Sequence, residues 1–307
     1  MTNPGTTPDL PTVQDAVAKS RTLFVAAASE LRPRLHRFCA RMCGSVLDGE
    51  DVVQETLADA FFNLSTLKDG SRFESWMFGI AYHKCIDFLR REQRHGDDVT
   101  FGEEHDRANG ADDTFADAPI DEALTTLVGE LPPKERASVL LKDVLGYSLA
   151  EVAEIAETTV GGVKAALHRG RAKLREVRAA PAFAELDARQ RKLFTAYAEI
   201  FNRRDWNALR DLVSADARLE VVGGAEDRFA RLGMTYSSNY TNLAWEWRLA
   251  PGIVDGQPVL IHWRRSDATW RPHSVIRLFL QRGQVVRIRD YIHVEYLLEN
   301  ARVESIL

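Results

Sequence analysis

The stretch that decides the fold is Phe73-Glu-Ser-Trp-Met-Phe-Gly-Ile-Ala-Tyr-His-Lys-Cys-Ile-Asp-Phe-Leu-Arg-Arg-Glu-Gln-Arg94, which predicts an aromatic-rich helix with a basic end. Four of its rings are spaced around the helix and cannot all face one core: Trp76, Phe78, Tyr82 and Phe88. Some of these four should therefore be exposed. An exposed ring can stack on an unpaired base for about 1–3 kcal/mol. The closing arginines suit the phosphates of the same strand. For Phe73 and Trp76, an anchoring role in the core is an equal alternative.

A second segment begins at Leu131-Pro-Pro and continues into a helix-turn-helix pattern. The capping box Ser148-Leu-Ala-Glu151 predicts a helix over Leu149–Glu157, and Thr159 can cap the helix that follows. That second helix is predicted to expose a basic face made of Lys164, His168, Arg169, Arg171, Lys173 and Arg175. Such a helix enters the major groove of a duplex. A chain that binds both single-stranded and duplex DNA is suited to opening a promoter.

The charge of the chain is unevenly distributed. Its 307 residues carry a net charge of −5. Residues 96–122 hold ten acidic side chains and one basic side chain, so the rest of the chain has a net charge of +4. No apolar run approaches the roughly 18 residues of a membrane span, and the polar N-terminus lacks the apolar segment of a signal peptide. We therefore expect a cytoplasmic protein.

Three cysteines are too few for a disulfide scaffold. His36, Cys39 and Cys43 share one face of a predicted helix and would offer three zinc ligands if Cys85 supplied a fourth. Packing of these small side chains into the core is the favoured alternative. We therefore expect no metal site and no cofactor.

The composition divides the chain into five segments. We expect a frayed tail over residues 1–20, a helical domain over 21–95, an acidic flexible linker over 96–119 and a second helical domain over 120–178. From residue 183 to residue 307, two helices precede alternating strands, and Arg282-Gly283 predicts a hairpin turn. The predicted fold is therefore two all-α domains followed by an α+β domain.

The order of these motifs resembles the sigma-70 superfamily, specifically the extracytoplasmic-function (ECF) sigma factors, over roughly residues 24–178. The resemblance rests on the acidic helix Asp48–Thr56, on Phe73-x-x-Trp76, on Asp87-x-x-Arg90-Arg91, on Leu131-Pro-Pro and on the helix-turn-helix. It implies a factor that binds core RNA polymerase and directs promoter recognition and melting, without being an enzyme. The helix-turn-helix would read the −35 element.

The resemblance also implies roles for particular residues. Docking on the β′ clamp helices of the polymerase would use Asp48, Asp51, Gln54 and Glu55. The loop Ser65–Arg72 would capture a flipped base of the −10 element. Contacts to that element would come from Lys68, Arg72, Phe73, Trp76, Tyr82, His83, Arg90, Arg91 and Arg94. Ala165-Ala166 stands where the family has Ser-Arg, which removes one contact to the −35 element.

The C-terminal segment resembles SnoaL-like domains, a cone-shaped α+β fold of the nuclear-transport-factor-like class. In sigma factors that carry such a domain, the extension tunes activity, which implies contact with the sigma domains of the same chain. Five side chains are candidates for a pocket: Tyr236, Trp245, His262, His273 and Asp290. Ligand sensing and catalysis are alternatives to a purely regulatory contact.

Two other classes of protein remain for the whole chain. A helix-turn-helix repressor would bind duplex DNA without polymerase, but it has no use for the aromatic helix or the acidic docking face. An enzyme similar to a polyketide cyclase would need turnover by the C-terminal domain alone, and no pair of residues there has a spacing that demands catalysis.

Overall fold

The computed structural model describes residues 10–95, 130–176, 187–223, 226–299 and 301–305. The chain forms two compact units, of which the first contains the helices of residues 10–176 and the second the sheet of residues 187–305. This organisation confirms the expectation of helical domains followed by an α+β domain. The linker predicted over 96–119 lies outside the described residues, as do residues 120–129 of the second predicted domain.

The first half of the helical unit consists of α1 (Leu10–Cys43), α2 (Val46–Phe62) and α3 (Phe73–His95), with short 3-10 turns at Leu64–Thr66 and Gly70–Arg72. Residues 1–9 of the predicted tail lie outside the described residues, and over 10–20 the structure differs from the prediction because α1 is already helical from Leu10. Proline is tolerated in a first helical turn, so the prolines of this segment do not prevent the helix.

Apolar side chains that recur along one face of α1 and one face of α2 form the core of this half. The buried side chains include Leu31, Leu35, Phe38, Met42, Val52, Val53 and Ala60. Burying each of the larger ones stabilises the fold by about 1.5–3 kcal/mol. The two helices approach closely at Gly49, where an added Cβ atom would lie 2.5 Å from the backbone of Ala40. Gly49 is therefore required by the crossing of α1 and α2.

The second half of the helical unit consists of α4 (Pro133–Val139), a π-helical turn (Leu140–Val144), α5 (Leu149–Ile155) and α6 (Val160–Glu176). The predicted capping box is confirmed, because the Glu151 amide donates to the Ser148 hydroxyl while the Ser148 amide donates to the Glu151 carboxylate. Helix α5 ends two residues earlier than predicted, and the Gly162 amide donates to the Thr159 hydroxyl at the start of α6.

The second unit is a seven-stranded sheet with helices. Its elements are α7 (Ala188–Asn202), α8 (Trp206–Leu212), β1 (Val213–Val221), β2 (Glu226–Arg228), α9 (Phe229–Thr241), β3 (Trp247–Val254), β4 (Gln257–Ser266), β5 (Thr269–Gln281), β6 (Gln284–Asp290) and β7 (Val303–Ser305). The strand order is β2-β1-β6-β5-β4-β3-β7, in which β1 and β6 are parallel and all other pairs are antiparallel.

The predicted hairpin turn between β5 and β6 is present. Arg282 and Gly283 both have positive φ angles, 52° and 82°, as a type I′ turn requires. The sequence prediction missed α9, β2, β3 and β7. Aromatic side chains of α7 and α9 pack on the sheet and form the core of this unit, including Phe194, Tyr197, Phe201, Tyr236 and Tyr240.

Candidate functional site

One side of α2 carries Asp48, Asp51, Gln54 and Glu55, whereas Glu50 of the same helix is fully buried and pairs with Arg32. Val52 and Val53, on the opposite side of the helix, are 1% and 0% exposed. Glu55 is exposed, whereas Asp48, Asp51 and Gln54 are half-buried. Three carboxylates and an amide therefore line one side of a helix whose other side is core.

The segment between α2 and α3 exposes two cations. Lys68, between the two 3-10 turns, and Arg72, at the end of the second turn, are both exposed. Hydrogen bonds from the Ser71 side chain and then from its amide hold the pKa of the Asp69 carboxyl below its usual value. The amide bond also fixes the second turn. Exposed cations on a short ordered loop can contact the phosphates of a single strand.

The aromatic rings of α3 are less exposed than stacking on bases would need. Tyr82 is 6% exposed and Phe78 is fully buried, so the stacking role expected for Tyr82 is not available to its ring in this arrangement. Phe73 and Trp76 are half-buried, with ring centroids 6.2 Å apart, and Phe73 packs edge-on against Phe24. Phe73 is therefore partly an anchor in the core, which is the alternative to base stacking given for it above.

The end of α3 forms a basic groove of about 380 Å³ with the adjacent side of α2. Its lining consists of Glu55, Lys84, Asp87, Arg90, Arg91 and Arg94. Arg91 lies 3.8 Å from the Glu55 carboxylate, and Arg90 lies 3.5 Å from Asp87. Both pairs are exposed, so each contributes at most about 1 kcal/mol and can be exchanged for a phosphate. His83, on the same helix, is exposed and carries a carboxylate partner, Glu157.

The basic face predicted for α6 is only partly exposed, and this corrects the sequence interpretation. Lys164, His168, Lys173 and Arg175 are exposed. Arg171 instead forms a two-point ion pair with Asp143, with distances of 3.1 and 2.7 Å, and both side chains are about one-fifth exposed.

The buried carboxylate of Glu135 binds two further members of that face. The Arg169 guanidinium donates to it at 2.8 Å, and the Lys173 ammonium lies 3.7 Å from it. Arg169 and Arg171 therefore hold α6 against α4 and the π-helical turn. Ala165 and Ala166, which stand where the family has Ser-Arg, are 7% and 5% exposed. Lys164 and His168, four residues apart, are left exposed in the first half of the helix.

The three cysteines lie together in the core of the first unit. The Cys85 thiol forms hydrogen bonds with the thiols of Cys39 and Cys43, and burial raises the pKa of all three. His36 is buried as well. In the part of the chain that the structure describes, no group of three or more His, Cys, Asp or Glu side chains is arranged to hold a metal ion.

In the second unit, the predicted pocket residues meet in two adjoining clusters. In the first cluster, the hydroxyls of Tyr236 and Tyr240 donate to one oxygen of the buried Asp290 carboxylate at 2.7 and 2.6 Å. The Ile292 amide donates to the other oxygen at 2.9 Å. Burial raises the pKa of Asp290 and of both tyrosines. The sequence interpretation missed Tyr240, although its spacing of four from Tyr236 on a helix was a usable signal.

The second cluster contains the two histidines. His262 is fully buried, its Nδ1 atom lies 3.3 Å from the Ser274 hydroxyl, and burial lowers its pKa to about 3. The ring centroid of His273 lies 5.7 Å from that of His262 and 5.6 Å from that of Trp245. Within the described residues, His262 Nε2, Trp245 Nε1 and the Tyr197 hydroxyl are buried without a hydrogen-bond partner.

Two family models match the chain. The model of Sigma-70 region 2 matches residues 28–95, and the model of Sigma-70 region 4 matches residues 121–174. The first match covers the C-terminal part of α1 together with α2 and α3, and the second covers α4, α5 and all but the end of α6. No helix among the described residues is long and apolar enough to cross a membrane.

Three relatives extend this finding. The ECF RNA polymerase sigma factor SigE of Mycolicibacterium smegmatis is 31% identical over 147 residues, which cover 47% of this chain and 56% of SigE. The RNA polymerase sigma factor CarQ of Myxococcus xanthus is 30% identical over 145 residues, which cover 47% of this chain and 83% of CarQ. The ECF sigma factor SigG of Mycobacterium tuberculosis is 28% identical over 301 residues, which cover 88% of this chain and 81% of SigG.

The matches to Sigma-70 regions 2 and 4 define a factor that recognises promoters. The chain belongs to the extracytoplasmic-function sigma factors of the sigma-70 family. It is therefore a transcription initiation factor rather than an enzyme. Similarity to SigG extends beyond regions 2 and 4, and the α+β fold of the second unit agrees with the SnoaL-like resemblance.

Proposed function

We propose that this sigma factor uses three separate surfaces during initiation. The acidic side of α2 docks on the β′ clamp helices of core RNA polymerase, the basic groove of α3 holds the melted −10 strand, and the start of α6 reads the −35 duplex. The second unit tunes the activity of the first. Transcription initiation requires that these events take place in the cytoplasm.

The observation that carries the proposal is the basic groove. Four cations, Lys84, Arg90, Arg91 and Arg94, line it with only two carboxylates. One of those carboxylates, Glu55, belongs to the proposed polymerase-docking side of α2. A groove with this balance suits the phosphates of a single DNA strand, and it adjoins the surface that would contact the polymerase.

A regulatory role for the second unit is supported by its composition. Its core is filled by aromatic side chains, and its buried Asp290 has three hydrogen-bond donors, which suits a stable protein module. The short connection between residues 176 and 187 gives it a high effective concentration near the sigma regions. A separate regulatory protein would lack this advantage.

Ligand binding by the second unit is a second candidate function. It is favoured by three buried polar atoms that have no partner among the described residues: His262 Nε2, Trp245 Nε1 and the Tyr197 hydroxyl. Native mass spectrometry of the protein purified from its host tests this candidate. A bound small molecule that is lost in a His262→Phe variant supports it, and an unmodified mass in all preparations contradicts it.

Run-off transcription with purified core polymerase tests the main proposal. We expect promoter-specific transcripts from the full chain and an altered yield from a protein truncated after residue 180. If both proteins give the same yield, the tuning role is wrong. If neither protein initiates at any promoter that the host uses, the three-surface assignment is wrong.

A further inference from the structure

The helix-turn-helix of the first unit packs directly on α3. The ring centroids of Phe78 and Tyr147 lie 5.4 Å apart, and the Tyr147 hydroxyl donates to the Glu74 carboxylate. Arg34 of α1 binds the same carboxylate at 2.8 Å. The Gly79 position of α3 faces the backbone carbonyl of Ile155 at the end of α5. Regions 2 and 4 are therefore joined by a contact with an apolar centre and polar surroundings.

Two acidic side chains of the helix-turn-helix engage α3 and the turn before it at basic positions assigned to the −10 element. The two terminal nitrogens of Arg72 each lie 3.1 Å from a different oxygen of Glu154. The Nε2 atom of His83 lies 3.2 Å from the Glu157 carboxylate. A phosphate group would use the same guanidinium nitrogens in the same two-point geometry. The two carboxylates therefore occupy positions where DNA phosphates would lie.

The backbone of Glu157 indicates that its side chain has a role. Glu157 has a φ angle of 48°, in the left-handed region where glycine is comfortable and other residues are strained. The position lies in the turn of the helix-turn-helix, where glycine is common. A glutamate held in this strained backbone conformation points to a functional role for its side chain.

We propose that this contact is autoinhibitory, with Glu154 and Glu157 acting as phosphate mimics that cover Arg72 and His83 in the free sigma factor. Opening of the contact between α5 and α3 then exposes the −10 surface and separates regions 2 and 4 at the same time. The proposal rests on the −10 roles of Arg72 and His83 given above. Both contacts are largely exposed, so the inhibition is weak enough for polymerase and promoter to overcome.

Binding of a fluorescent single-stranded oligonucleotide by the full chain, without polymerase, tests the proposal. Glu154→Gln and Glu157→Gln each remove one mimic while keeping the size of the side chain. We expect each to raise the affinity about two- to fivefold, because an exposed ion pair contributes little more than this. Glu30→Gln on α1 is the matched control, since Glu30 is exposed and its loss changes the net charge equally.

Arg72→Ala separates failure of this proposal from failure of the −10 assignment. If Arg72→Ala weakens binding while the two glutamine variants match Glu30→Gln, the −10 assignment stands and autoinhibition is refuted. If Arg72→Ala has no effect even in the Glu154→Gln background, where Arg72 has lost this partner, both are refuted. Amide hydrogen exchange of α5 provides a second measurement, and we expect the Glu154→Gln, Glu157→Gln double variant to exchange faster there. Equal exchange rates in this variant and in Glu30→Gln would contradict a closing role.

Discussion

Lys164 and Arg171 lie on the same helix and carry the same charge, yet the structure predicts opposite consequences for their replacement by alanine. Lys164 is exposed near the start of α6, where it can reach a phosphate. Arg171 is about one-fifth exposed and is bound at two points by Asp143. We therefore expect Lys164→Ala to weaken DNA binding and Arg171→Ala to weaken the fold.

The magnitudes follow from the two environments. Loss of one phosphate contact lowers the slope of log affinity against log salt by about 0.9, so between about 50 and 200 mM salt the wild-type protein should lose roughly 3.5-fold more affinity than Lys164→Ala. Removal of Arg171 leaves Asp143 partly buried without its two-point partner. Because Asp143 is still partly exposed to solvent, the cost is reduced, and loss of Arg171 should lower the free energy of unfolding by about 1–2 kcal/mol.

Two measurements on the same proteins check this contrast. Fluorescence anisotropy with a short random-sequence duplex gives the salt dependence, because phosphate contacts do not depend on base sequence. Urea unfolding gives the free energy, and Lys164→Ala should remain within about 0.5 kcal/mol of wild type. Equal loss of salt dependence in both variants would refute the division of α6 into a DNA-facing start and an internally paired remainder.

Three further predictions concern docking, packing and pH. Asp51→Ala with Glu55→Ala should weaken binding to core polymerase in a native gel while the helical circular dichroism is retained, and unchanged mobility would remove the docking assignment. Gly49→Ala should lower the free energy of unfolding by about 1–3 kcal/mol, because its Cβ would lie 2.5 Å from the backbone of α1, whereas Gly70→Ala meets no atom within 4 Å and is the control. At pH 5 an unfolded histidine binds a proton that the buried His262, with its pKa lowered to about 3, does not. The contribution of His262 to the free energy of unfolding should therefore fall by about 2 kcal/mol between pH 7 and pH 5. Urea unfolding at the two pH values should find a smaller fall in His262→Gln, and an equal fall would contradict the assignment.

The helical unit could be predicted well because its signals are local. The apolar periodicity of α2 and the capping box at Ser148 depend on residues within a few positions of one another. The pair between Arg171 and Asp143 joins residues 28 apart, and the sequence offers no register that would bring them together. For this reason the sequence overestimated the exposed basic face of α6.

The sheet of the second unit was harder to predict because its strands break local rules. Strand β3 contains Pro251 and Gly252, which normally argue against a strand. Among the described residues, β7 pairs with Gly252 to Val254 and not with Pro251, which is paired with Leu260 of β4 on the other side of β3. The pocket residues were identified by type, but their contacts depend on this sheet and could not be derived from spacing.

Two of the three cysteines, Cys39 and Cys85, provide a way to time the opening of the helical unit without any engineered labelling site. Cys39 and Cys85 have no exposed surface, and burial holds the pKa of their thiols above its usual value. Because the thiolate is the reactive form, an alkylating reagent should modify them only after α1 and α3 separate. The rate of alkylation, followed by mass, would therefore report how often this part of the sigma factor opens, alone and when bound to polymerase.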